Sequence, residues 1–91
     1  MGITATQRRI IALAKKNGKG WYCRGFYIRD ESHSCPMTKA AGMQGTQDTP
    51  EAAASLGVTE HTRLAIVRAA DADSPYNLTL RNYMLKNLVG V

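Results

Sequence analysis

Glycine and proline divide this chain into short segments, and this division limits it to short secondary-structure elements. Eight glycines and three prolines recur along the 91 residues. Proline at the first position of a helix and glycine just past its end are strong local signals for helix boundaries. A chain of this length forms one domain with a modest core. The sequence therefore predicts a single domain over residues 1–91, mainly α-helical, folded as a compact bundle of four or five short helices.

The segment from Thr4 to Gly18 gives the clearest helix prediction. Thr4 and Gln7 fit a capping box, and Asn17-Gly18 predicts a left-handed C-cap. The helical repeat places apolar residues on one side and basic residues on the opposite side. The apolar residues are Ile10, Ile11, Leu13 and Ala14, and the basic ones are Arg8, Arg9, Lys15 and Lys16.

Residues 20–29 are rich in strand-forming side chains, which predicts a small β-hairpin or strand at about residues 20–30, after the first helix. Arg24-Gly25 would be the turn of a hairpin, or Gly25 a bulge in one strand. A lone hairpin is marginal in water, so this element must pack on the helices. A strand without a partner in the chain would favour a homodimer.

Four further helices are predicted from proline starts, polar caps and glycine ends. Pro36 suits the first position of a helix capped by Ser34 or Cys35, and Thr49 and Thr59 suit the caps of the next two. The predicted ranges are about 36 to 42 or 45, 49 to 57, 59 to 70, and 74 or 77 to 90. The predicted core consists of Ile10, Leu13, Trp21, Phe26, Met37, Leu56, Leu64, Val67, Leu80, Met84 and Leu88.

Basic side chains are concentrated in the first third of the chain. The net charge is +5, yet residues 1–29 contain seven basic and no acidic side chains, whereas residues 30–91 contain five basic and seven acidic ones. Segregated charge steers a protein toward a polyanion or an acidic protein surface. We therefore expect a non-enzymatic binding module that docks on nucleic acid or a nucleoprotein complex through this basic face. Its predicted contacts are Arg8, Arg9, Lys15, Lys16, Lys19, Trp21, Arg24 and Arg29.

Aromatic residues alternate with the cations between residues 15 and 29. Nucleic-acid binders use this mixture because cations pair with phosphates and aromatic faces stack on bases. The alternative is that the aromatic side chains form the core and the charges around them are solvated. In so small a protein, Trp21 and Phe26 are expected in the core.

Residues 50–70 resemble a helix-turn-helix unit. Ala53 lies four residues before Gly57, where a small side chain lets two helices cross closely, and Gly57 permits the turn. The resemblance implies that residues 59–63 open a recognition helix. The alternative is that residues 50–70 are two helices joined by a glycine turn that serve only the packing of the fold.

Two features depart from the helix-turn-helix pattern. Arg63 occupies the usual apolar position six residues after the glycine, with Leu64 one place late, and the implied recognition face is poor in cations. If the unit reads a groove, Arg63 and Arg68 join the predicted contacts.

Cysteine and histidine offer two further hypotheses. Cys23, His33, Cys35 and His61 could together bind zinc, but their spacing matches no zinc-finger pattern, and we expect no metal or other cofactor. Cys35 at a helix start beside His33 could be a reactive thiol, which makes a thiol-dependent enzyme or redox protein the second alternative. Since no oriented base or oxyanion pocket is evident, we expect no enzyme activity. Asp71 and Asp73 do not complete a calcium loop.

The first alternative function is a protein-binding inhibitor or adaptor that never touches nucleic acid. A lone small domain with a basic face and no catalytic set is similar in type to small proteins of phages and mobile elements, such as anti-CRISPR proteins that act on a host complex. Its basic face would meet an acidic protein surface, or residues 21–28 would add to a partner's sheet edge. No signal peptide and no apolar run of about 20 residues is evident, so we expect a cytoplasmic protein without membrane contact.

Overall fold

The computed structural model describes residues 2–18, 21–23, 26–28, 34–43, 45, 48–71 and 78–89. Within these ranges the chain forms five α-helices, a π-helix and two short strands. In chain order they are α1 (Ala5–Asn17), β1 (Trp21–Cys23), β2 (Phe26–Ile28), α2 (Pro36–Ala40), α3 (Thr49–Leu56), α4 (Glu60–Asp71) and α5 (Leu78–Met84), which continues into a π-helix over Leu85–Val89. The prediction of a mainly helical, compact fold is confirmed.

Helix α1 begins at the predicted capping box. The Thr4 hydroxyl accepts a hydrogen bond from the backbone N–H of Gln7, and the Gln7 side chain accepts one from the backbone N–H of Thr4. The predicted left-handed C-cap is wrong, because Gly18 is extended, with φ 160° and ψ 169°. A Cβ on Gly18 would lie 2.7 Å from Nζ of Lys39, so a larger residue there would displace the end of that lysine side chain.

Helix α2 is five residues long and lies at the centre of the fold. All of its residues are buried, including Thr38 and Lys39, and it contacts α1, α3, α4 and β1. Pro36 occupies its first position as predicted, although the capping residue, Cys35, makes no side-chain cap hydrogen bond. The Thr38 hydroxyl instead shares its one proton between the carbonyls of Cys35 (3.0 Å) and Gly45 (2.6 Å), which holds the following loop against the helix start.

Strands β1 and β2 pair antiparallel over three residues each, with Trp21 opposite Ile28 and Cys23 opposite Phe26. β1 packs on α4 and α2. Residues 24 and 25 lie outside the described residues, so the predicted Arg24-Gly25 turn, and with it the hairpin as a whole, stays a prediction.

A glycine turn joins α3 to α4. Gly57 adopts the left-handed conformation (φ 68°), and the N–H of Val58 donates to the carbonyl of Ala53 at 3.0 Å, as in a Schellman motif. Thr59 then caps α4 as predicted, since its hydroxyl accepts from the N–H of Thr62. The predicted cap of α3 is wrong by one residue, because the capping position is Asp48 and Thr49 is already helical.

The core is formed by one face of α1, most of α2 and the inner faces of α3, α4 and α5. Trp21, Ile10, Ile11, Met37, Ile66 and Met84 are its largest fully buried hydrophobic side chains. Leu13, Leu56, Leu64 and Val67 from the predicted core are only partly buried, and the side chain of Phe26 is outside the described part of the structure. None of the helices in the described ranges combines the length and apolar character of a membrane span.

Candidate functional site

The α1 face is the surface of α1 that carries four exposed cations, Arg8, Arg9, Lys15 and Lys16, with the exposed alanines Ala5 and Ala12 between them. Ile10, Ile11 and Ala14 bury the opposite side of the helix and so fix which side is exposed. At 3.6 residues per turn, the four cations fall within an arc of roughly 120° centred on Ala12. Lys15 lies seven positions after Arg8, and Lys16 seven positions after Arg9, so the arginine pair and the lysine pair lie about 10 Å apart along the axis.

Three cations of the α1 face make no contacts that neutralise them within the described ranges. The side chains of Arg8, Lys15 and Lys16 form no hydrogen bond or ion pair there, and α1 contains no acidic residue. Lys15 and Lys16 lie in the last turn, where the negative end of the helix dipole stabilises them. The face therefore presents unneutralised positive charge on a rigid, packed helix.

Arg9 differs from the other three cations because the fold also uses it. Its Nη2 donates to the carbonyl of Leu56 at 3.3 Å. Leu56 is the last residue of α3, so this bond satisfies a helix-end carbonyl and places the α1 face beside the turn between α3 and α4.

The two amide side chains of α1 are occupied inside the fold. Gln7 completes the capping box with Thr4. Asn17 donates through Nδ2 to the carbonyls of Lys39 (3.0 Å) and Ala40 (3.2 Å), so it closes the C-terminal end of α2. Sequence reasoning missed this role of Asn17, because the bond links residues far apart in the chain.

Trp21 is completely buried and belongs to the core. Its ring is therefore not on a surface where a base could stack, which corrects its inclusion among the contact residues and supports the prediction that it is a core side chain. The indole Nε1 is buried without a hydrogen-bond partner in the described part of the chain.

The helix-turn-helix-like unit holds Arg63 in an internal network. Nε and Nη2 of Arg63 both bond the Glu60 carboxylate, and Nη1 donates to Oγ1 of Thr49 at 2.7 Å. The side chain of Arg63 is 13% exposed, whereas that of Glu60 is 64% exposed. The hydrogen bond from Arg63 lowers the pKa of the Glu60 carboxyl.

This network explains why an arginine stands where the helix-turn-helix pattern has an apolar residue. Arg63 ties the first turn of α4 to the first turn of α3, in place of an apolar contact. The sequence signal for this pair is the three-residue spacing of Glu60 and Arg63 on a helix. Sequence reasoning missed the role of Thr49. Of the contacts implied on α4, Arg68 is exposed, as is His61.

Cys35 is buried and its thiol is protonated at neutral pH. Burial raises its pKa from 9.0 to about 11, and backbone hydrogen bonds from Met37 and Thr38 offset only part of that rise. A protonated, enclosed thiol is a poor nucleophile. His33, its predicted neighbour, lies outside the described residues.

The described ranges contain no group of three or more His, Cys, Asp or Glu side chains that could hold a metal ion. His33 and the side chain of Cys23 fall outside those ranges, so the zinc site stays a hypothesis from the sequence. The predicted contacts Lys19, Arg24 and Arg29 also lie outside the described residues.

Comparison of the chain with protein-family models, curated proteins and solved structures found no match.

Proposed function

We propose that this chain is a small non-enzymatic binding module that docks on nucleic acid or a nucleoprotein complex through the α1 face. The observation that carries the proposal is the set of four exposed cations on one arc of α1, on a helix without an acidic residue. Phosphate groups are the natural partners of such a face, because neutralising them releases counterions and so favours binding.

The fold suits this role because it makes the α1 face rigid. Asn17 joins the end of α1 to α2, and Arg9 joins its middle to the end of α3. A face held in place loses little backbone entropy when it binds, so more of the electrostatic attraction appears as affinity.

In this proposal the helix-turn-helix-like unit at 50–70 supports the α1 face more than it reads a groove. Arg63 is committed to Glu60 and Thr49, which leaves Arg68 as the exposed cation of α4. The proposal also places the protein in the cytoplasm, where the free thiol of Cys35 would persist.

The deciding experiment is fluorescence anisotropy of labelled duplex DNA, single-stranded DNA and RNA against the purified protein at several salt concentrations. We expect binding that weakens steeply as salt rises. A triple variant in which glutamine replaces Arg8, Lys15 and Lys16 should abolish this binding. The control is Lys86→Gln, compared with the single variant Lys15→Gln: each removes the charge of one exposed lysine, and only Lys15→Gln should weaken binding.

Absence of binding to all three nucleic acids at low salt would refute the proposal. The second candidate would then be a protein-binding inhibitor or adaptor that uses the same face against an acidic protein surface. Ala5 and Ala12 favour this candidate, because small exposed side chains between cations let a protein surface approach closely. A partner captured by the wild-type protein and lost with the triple glutamine variant would support it.

A further inference from the structure

We infer that the α1 face binds the two phosphate strands of a double helix and does not read the base sequence, an inference that rests on the proposed function. The first argument concerns which groups are available. Asparagine and glutamine read adenine through their amides, but Gln7 and Asn17 use theirs inside the fold. The α1 face is left with cations and alanines.

The arginines of the face do not supply a sequence code by themselves. Arginine reads guanine by presenting two donors at once, and Arg9 already directs Nη2 to the carbonyl of Leu56. Arg8 is then the one guanidinium of the face without a partner in the described ranges, and Lys15 and Lys16 act as point charges. One arginine cannot specify a site of several base pairs.

A double helix fits the face better than a single strand. Binding of single strands relies on exposed aromatic rings on which bases stack, and the α1 face itself consists of cations and alanines, with no aromatic side chain. A duplex presents one charge per about 1.7 Å of its axis, which is twice the charge density of one strand. Four cations on a small face therefore meet more phosphates on a duplex.

The spacing of the cations also matches paired strands. The arginine pair and the lysine pair lie about 10 Å apart along α1, and the major groove of B-form DNA is about 12 Å wide. With α1 lying across the groove, Arg8 and Arg9 reach the phosphates of one strand and Lys15 and Lys16 those of the other. Arg9 keeps its bond to α3 and contributes mainly charge.

The test is a competition experiment in which unlabelled nucleic acids displace a labelled DNA duplex. The competitors are DNA duplexes of unrelated sequence, duplex RNA of matched sequence, and single-stranded DNA. We expect the concentrations of the DNA duplexes that displace half of the label to agree within about tenfold. A protein that reads the base sequence would show larger differences, because it typically loses about 1–3 kcal/mol for a single mismatched base pair. Single-stranded DNA should compete more weakly than any duplex. Duplex RNA should compete more weakly than the DNA duplexes, because the major groove of A-form RNA is narrow. Equal competition by duplex RNA would contradict the placement of α1 across the B-form groove.

The salt dependence locates the contacts. Each phosphate contact contributes about −0.9 to the slope of log K against log salt concentration. Arg8→Gln and Lys15→Gln, which remove no contact within the described fold, should each make the slope shallower by about that amount. Lys86→Gln should not change it.

Two results would overturn this inference while leaving the proposed function intact. They are a preference above about tenfold among the DNA duplexes and equal or better competition by the single strand. A slope unchanged in both variants while nucleic acid is still bound would overturn the inference and also the use of the α1 face in the proposed function. Failure to bind any nucleic acid is a different result, because it removes the proposed function itself.

Discussion

Arg9 shows how one side chain can serve both the fold and the surface. Its Nη2 bonds the carbonyl of Leu56, the last residue of α3. The backbone N–H groups that follow Leu56 donate to earlier carbonyls of α3. The other guanidinium N–H groups remain on an exposed residue of the α1 face. Because Arg9 is anchored, it keeps its position whether or not a ligand is bound, and the loss of side-chain entropy on binding is smaller than for a free arginine.

Cys35 gives a prediction about pH at the scale of one residue. Its pKa is raised by burial from 9.0 to about 11 in the folded protein. The unfolded thiol ionises first, so the stabilisation from the buried, neutral thiol is complete below about pH 9 and is lost as the pH rises to about 11. The loss should amount to about 2–3 kcal/mol in the free energy of unfolding.

Urea unfolding of the wild type and of Cys35→Ala across this pH range measures that effect. Other groups that titrate there are present in both proteins and cancel in the comparison. The variant should be the less stable protein near neutral pH, because it leaves a small cavity, and the difference should shrink as the pH rises. A constant difference across the range would contradict the burial of a neutral thiol.

At the scale of elements, α1 depends on its capping box. Thr4→Ala removes the hydroxyl that accepts from the N–H of Gln7 and leaves that donor without its partner. We expect a loss of about 1 kcal/mol in the free energy of unfolding, measured by thermal or urea denaturation. Thr6→Ala is the matched control: Thr6 is exposed in the first turn of the same helix, so its change should be small. Equal losses in both variants would show that the capping box does not stabilise α1.

Elements fixed by local signals could be predicted from the sequence, and those fixed by distant contacts could not. The caps at Thr4 and Thr59 and the end of α3 at Gly57 follow from neighbouring residues, and these predictions are confirmed. Gly18 was predicted to be left-handed, but its backbone is extended beside the buried Lys39, a neighbour no local pattern reveals. The same limit applies to the bond between Asn17 and α2.

The candidate site was predictable in part for the same reason. The four cations of the α1 face follow from helical periodicity, so the sequence placed them together correctly. Arg63 was assigned to binding from a resemblance, and its bonds to Glu60 and Thr49 show that the fold occupies it. Trp21 could be assigned to the core or to a surface, and only the three-dimensional packing decides for the core.

At the scale of the whole molecule, the positive charge of the α1 face and the stability of the fold can be changed separately. The chain has a net charge of +5, and the α1 face contributes four positive charges. Arg8 stands near the N-terminal end of α1, where the helix dipole is unfavourable to a cation, whereas Lys15 stands in the last turn, where the dipole is favourable. Neither side chain makes a hydrogen bond or ion pair within the described fold. Both are therefore expected to matter more for binding than for folding.

The last prediction follows from this opposition between the two ends of α1. Arg8→Gln should leave the free energy of unfolding unchanged or raise it slightly, and Lys15→Gln should lower it, each by no more than about 0.5–1 kcal/mol. Both variants should nevertheless weaken binding to duplex DNA by a similar factor, because each removes one phosphate contact. Urea unfolding and anisotropy on the same protein samples measure the two quantities. If affinity instead followed stability across the two variants, the cations would act through the fold, and the α1 face would not be the binding surface.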